Sequence, residues 1–78
     1  MVISLDIKYE KQVGRNIRQL RMKQNFTQDR LSAKMQVMGC DITRSALAKI
    51  EAGQRHLYPD ELKLIKEILN VSYEDILI

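Results

Sequence analysis

At 78 residues, the chain has room for one small domain and a modest core. Hydrophobic residues make up 45% and charged residues 29%, an ordinary globular balance, and a single cysteine, Cys40, excludes an internal disulfide and a multi-cysteine metal site. The net charge of +3 is unevenly laid out: residues 8–56 carry eleven Lys and Arg against four acids, whereas residues 57–78 carry two against five. A basic body with an acidic end fits a polyanion docking on one side, and equally an unevenly charged solvated surface.

The first seven residues alternate weakly, with Ile3, Leu5 and Ile7 on one side, which reads as a short strand or an N-terminal arm over residues 1–8. From about Tyr9 to Gln24 the pattern turns helical. Val13, Ile17 and Leu20 share one face, and Lys11, Arg15, Arg18 and Lys23 point elsewhere. Asn25 suits the stop because it tolerates a left-handed backbone. Thr27 is placed to cap a second helix, whose face is lined by Leu31, Met35 and Met38 before Gly39. Cys40, Asp41 and Ile42 connect to a third helix, capped by Thr43 and ended by Gly53. Pro59 opens a fourth, with Asp60 and Glu61 in its first turn, where negative charge suits the helix dipole. Leu62, Ile65, Ile68 and Leu69 form its apolar stripe, and Asn70 closes it. Ser72 and Asp75 have the spacing of a capping box for a fifth helix, after which Ile76 and Leu77 pack back. The expected architecture is all-α: a compact bundle of five helices over residues 9–78.

The third helix divides into two faces. With Arg44 at zero and about 100° per residue, Arg44, Ser45, Ala48, Lys49 and Ala52 fall together, and Ala46, Leu47 and Ile50 lie opposite. Two cations, a hydroxyl and small side chains are what a helix needs to enter a major groove about 12 Å wide. In isolation the same face also suits an ordinary surface helix.

The order of the parts adds weight: a basic helix, then two capped helices joined by a turn. The stretches GRNIRQLRMKQNFTQDRLSAKM and ITRSALAKIEAGQRHLYPDELKLIKEILNVSYEDIL resemble the Cro/C1-type (XRE-like) helix-turn-helix family over roughly residues 13–77. The resemblance implies a lambda-repressor-like DNA-binding domain. It places Thr27 and Gln28 at the start of the second helix, with Gln28 on a DNA phosphate. Thr43, Arg44, Ser45, Ala48 and Lys49 match groove-facing positions, and Arg55 a contact to the DNA backbone. Arg21 and Glu51 match an ion pair tying the first helix to the third, and Ser32 a small residue where the second and third cross. One departure is the turn. Five extra residues lie between Met35 and Ile50, read as an extension of the second helix that keeps Met38 on the core face and a longer connection after it.

Together these features predict a sequence-specific, double-stranded-DNA-binding transcriptional regulator of bacterial or phage type, acting as a repressor by occupying an operator. Members of such a family often bind as homodimers, for which the N-terminal arm could supply the contact, or the last helix through Ile76 and Ile78 if these are exposed. The alternative is an antitoxin or other module that binds a partner protein through its acidic, apolar C-terminal end. His56 and Cys40 lack partners at ligand spacing, so no metal site is expected. Neither a cofactor motif nor a paired acid or nucleophile suggests an enzyme. No apolar run approaches the roughly 20 residues of a membrane span. The N-terminus lacks the pattern of a secretion signal, so a cytoplasmic location is expected.

Overall fold

The computed structural model describes residues 3–78, with side chains from Lys8 onward. Among these residues the chain forms five helices and no strand: α1 (Ile3–Lys23), α2 (Gln28–Val37), α3 (Arg44–Glu51), α4 (Pro59–Leu69) and α5 (Tyr73–Leu77). The boundaries follow from local chemistry. The Thr27 hydroxyl accepts from the Arg30 N–H at 3.0 Å, and the Thr43 hydroxyl from the Ala46 N–H at 3.1 Å. Ser72 and Asp75 cap each other reciprocally, at 3.1 and 3.0 Å. Each such cap is worth about 1 kcal/mol. The Ser72 hydrogen bonds hold the Asp75 carboxyl below its ordinary pKa.

Four helices end by one closure. Asn25, Gly39, Gly53 and Asn70 are the positive-φ residues among those described, and each follows a helix. At α2, the Gly39 N–H donates to the Gln36 carbonyl and the Cys40 N–H to that of Met35, which satisfies two carbonyls the helix would otherwise leave open. The same pair of bonds recurs after α1, α3 and α4.

Two expectations change at the ends of the first two helices. Ile3–Lys8, read as part of an arm or strand, continues α1 as helix, while Met1 and Val2 lie outside the described residues. Once the turn around Val13 and Ile17 is anchored in the core, extending a helix adds one hydrogen bond per residue without a new nucleus. Met38 does not stay on the core face; it is 48% exposed. α2 ends at Val37, the chain turns at Gly39, and Ile42 takes the core position instead.

The core is one cluster drawn from every helix. Val13 and Ile17 of α1, Leu31 and Met35 of α2, Leu47 and Ile50 of α3, Ile65 and Leu69 of α4 and Ile76 of α5 are all buried. α1 packs on α3 and α5, and α2 packs on α3 and α4. The Tyr9 hydroxyl and the Asn16 amide donate to the Leu77 and Ile76 carbonyls, fastening α5 to α1 at 2.9 and 2.8 Å. Ile76 packs back into the core as expected and is fully buried, so of the two isoleucines considered for a dimer contact only Ile78 is exposed.

Candidate nucleic-acid interface

α3 is held from two sides. On the first, α1 crosses its C-terminal end at Gly14. A Cβ at that position would sit 2.3 Å from the Ile50 carbonyl oxygen and 2.7 Å from that of Glu51, so the two backbones touch with no room for a side chain. On the second, Arg21 and Glu51 form a two-pronged pair, Nε to Oε2 at 2.7 Å and Nη2 to Oε1 at 2.9 Å, with side chains only 9% and 2% exposed. Gln28, at the start of α2, donates its side-chain amide to Glu51 Oε1 at 3.0 Å. A further Arg21 N–H reaches the Phe26 carbonyl at 2.7 Å. One carboxylate therefore joins α1, α2 and α3, and both of its oxygens are used. Ser32 of α2 is small and buried, and its hydroxyl donates to the Asp29 carbonyl.

With Leu47, Ile50 and Glu51 facing inward, the rest of α3 is left to solvent. Thr43, Arg44, Ser45 and Lys49 are exposed, and Ala48 is half-buried among them. Arg44 lies 3.6 Å from Asp29 of α2, with both side chains largely in water. Such a pair contributes little and is readily exchanged for another anion. Thr27 and Gln28 border the same region, and together with Arg18 and Arg44 they line a cleft.

The turn before α3 is longer than a simple helix-turn-helix connection, and it is braced. The Gln36 amide donates to the Ile42 carbonyl at 2.6 Å, and Ile42 itself is buried. Cys40 is half-buried in this turn. Burial pushes its thiol pKa up, with Glu61 and Asp60 adding to the effect. Because the thiolate is the reactive form, Cys40 is expected to react with a disulfide reagent at pH 8 more slowly than a cysteine in an unstructured peptide. Equal or faster labelling of the folded protein would refute this.

Two residues assigned to DNA phosphates have intramolecular partners. Arg55 is not a free cation. Its guanidinium makes a bidentate pair with Glu61, both bonds 3.0 Å, and also donates to the His56 carbonyl. Glu61 is buried, and its Oε1 also accepts the Tyr58 N–H at the start of α4. The bond to Glu61 raises the Arg55 pKa further above its already high ordinary value. Gln28 spends one amide N–H on Glu51 and keeps the other. His56 lies 2.6 Å from the Glu10 carboxylate on the surface. Among the described residues no group of three or more His, Cys, Asp or Glu is placed to hold a metal ion.

Sequence reading missed the parts played by Gly14, Gln36 and Glu61. Gly14 carried a signal: a glycine inside a helix costs about 1 kcal/mol relative to alanine, so its presence asks for a packing reason. Glu61 carried a signal for the start of α4, through its place in the first turn, but neither its pairing with Arg55 nor the Gln36 bond to Ile42 had one, because those partners depend on how the loops run.

A capped helix docked across a second helix, with a basic outward face and a buried carboxylate locking the pair, defines a helix-turn-helix protein of the DNA-binding class. The helix-turn-helix family model matches residues 17–76, and the chain belongs to this family, in its Cro/C1-type branch. Control protein C.BamHI of Bacillus amyloliquefaciens is 32% identical over 65 residues, which span 82% of this chain and 74% of that protein. The crystal structure of the DNA-binding domain of BldD shares the fold, with a TM-score of 0.76 at 21% identity, covering 91% of this chain and 96% of that one. The family is one of DNA-binding transcriptional regulators. No helix among the described residues is long and apolar enough to cross a membrane.

Proposed function

We propose that this protein binds duplex DNA at preferred sequences, with the N-terminal part of α3 in the major groove, and represses transcription by occupying an operator. The observation that carries the reading is the free face of α3: Arg44, Ser45 and Lys49 stand in water around half-buried Ala48, while every large apolar residue of the helix is buried. Arg44 is suited to pair with guanine O6 and N7, giving up its loose contact with Asp29. Ala48 suits contact with a thymine methyl, and Lys49 a base or a phosphate. Thr27, the remaining Gln28 N–H and the first N–H groups of α2 suit a phosphate beside the groove. Arg55, which follows α3, is tied to the start of α4 through Glu61. The similarity to a protein named as a control protein supports the regulatory role.

Two copies on half-sites about 34–36 Å apart would match the usual arrangement of such domains. With Ile76 buried, the apolar side chains on α5 that suit the contact are Tyr73 and the 85%-exposed Ile78 at its end.

Selection of bound sequences from random duplexes tests the whole reading. A two-fold symmetric motif is expected, and recovery of no motif would overturn sequence-specific binding. Within that motif, Arg44→Ala is expected to weaken binding by about 1–3 kcal/mol. Random duplexes should lose much less, and equal losses on both would remove Arg44 from base reading.

A further inference from the structure

We propose that α1 carries a second DNA contact, independent of sequence: Lys11, Arg15 and Arg18 form a ridge that tracks the phosphate backbone alongside the groove entered by α3. This rests on the reading that α3 faces the duplex, and extends it to a helix outside the helix-turn-helix pair.

The three side chains repeat at i, i+4 and i+7, so they stand on one face of α1, and all three are exposed. None has a carboxylate within 4.0 Å among the described residues. Several other cations of the chain do have partners within it. Arg55 is paired with Glu61, and Arg30, Lys34 and Lys66 lie over aromatic rings. Like charges at these spacings repel along a helix. A ridge that weakens its own helix in water is relieved by a polyanion, whose condensed counterions it releases.

Position joins this ridge to α3. Lys11, Arg15 and Arg18 share one cleft with Glu51 and Ala52 at the end of α3. Arg18 also lines the neighbouring cleft with Gln28 and Arg44. The acids in these clefts are occupied, Glu51 by Arg21 and Gln28, and Asp29 by Arg44. The close approach is built into the backbone. Gly14 lets α1 touch the α3 carbonyls, and a Cβ on Gly53 would lie 2.4 Å from Lys11 Cγ. Lys11 to Arg18 spans about 10.5 Å along the helix at 1.5 Å per residue.

The test is a salt titration of affinity for a 30-base-pair duplex of random sequence (roughly three turns at the 10–10.5 base pairs per turn of B-DNA), using Arg15→Gln/Arg18→Gln. Two lost phosphate contacts should reduce the slope of log K against log salt by about 1.8 and weaken binding about 60-fold at 0.1 M salt. Thermal melting should be unchanged or slightly raised, because repulsion is relieved. If the double variant melts early, the single Arg15→Gln is read instead, with a slope change of about 0.9. The control is Lys63→Gln/Lys66→Gln on α4, which removes the same charge elsewhere and should change the slope little. An unaltered slope in the ridge variant, or an equal change in the control, overturns the proposal. Failure of the underlying reading looks different: Arg44→Ala would leave preferred-site binding intact while the ridge variant still lost affinity.

Discussion

Glu51→Ala is expected to lower the unfolding free energy by about 3–5 kcal/mol, the loss typical of removing one member of a buried ion pair. The reason is what remains. Arg21 would keep its charge in the interior with only the Phe26 carbonyl to receive it, and Gln28 would lose its acceptor. For a chain of this size each kcal/mol moves the melting temperature by about 4–8 °C, so even the low end is a large displacement in a thermal scan. An unaltered melt would refute the pairing as a structural tie. A double variant, Arg21→Met/Glu51→Leu, separates stability from function. It removes both charges and should recover much of the melting temperature. It should not fully restore DNA binding, since Gln28 would no longer be held beside α3.

Gly14→Ala should destabilise the protein by about 1–3 kcal/mol, the range for overpacking a filled interior. The sign is the informative part. At an open position inside a helix the same change stabilises by about 1 kcal/mol. Here the new methyl meets two backbone carbonyl oxygens, Ile50 at 2.3 Å and Glu51 at 2.7 Å, and neither is the end of a flexible side chain. α3 must therefore shift away from α1. Because the same crossing sets the α1 ridge beside the outward face of α3, preferred-site affinity should fall as well. A variant that melts higher than the parent would show that the crossing tolerates a methyl and that the contact is not tight.

The two experiments probe one junction from opposite sides. Glu51 pulls α3 toward α1 and α2 through charge, and Gly14 sets how near it can come. Both residues lie on inward faces, so neither is expected to touch DNA, yet each decides where Arg44 and Lys49 stand.

Much of the helix layout was legible because it depends on near neighbours. Thr27, Thr43 and the Ser72–Asp75 box cap the backbone within three residues. Pro59 and the residues after each helix act just as locally, through allowed dihedral angles. The apolar spacing of Leu47 and Ile50 likewise marks which side of α3 turns inward, and thereby which side is free to meet a ligand. Arg21 and Glu51 could be linked only through resemblance to a family, since they are thirty residues apart in the chain. Nothing in their spacing brings them together.

What the order of residues left open depended on how the chain packs on itself. Arg55 looks like any exposed cation until the path of the loop brings Glu61 beneath it. Met38 fits the core side of α2 by angle, but the turn ends the helix there and Ile42 fills the space. Gly14 is only a weak point in a helix until α3 crosses it. The physical distinction is one of range. Caps, breaks and amphipathic faces are set by interactions a few residues apart. Which charge is buried with which, and which cations are left for a polyanion, is decided only when distant segments compete for the same space.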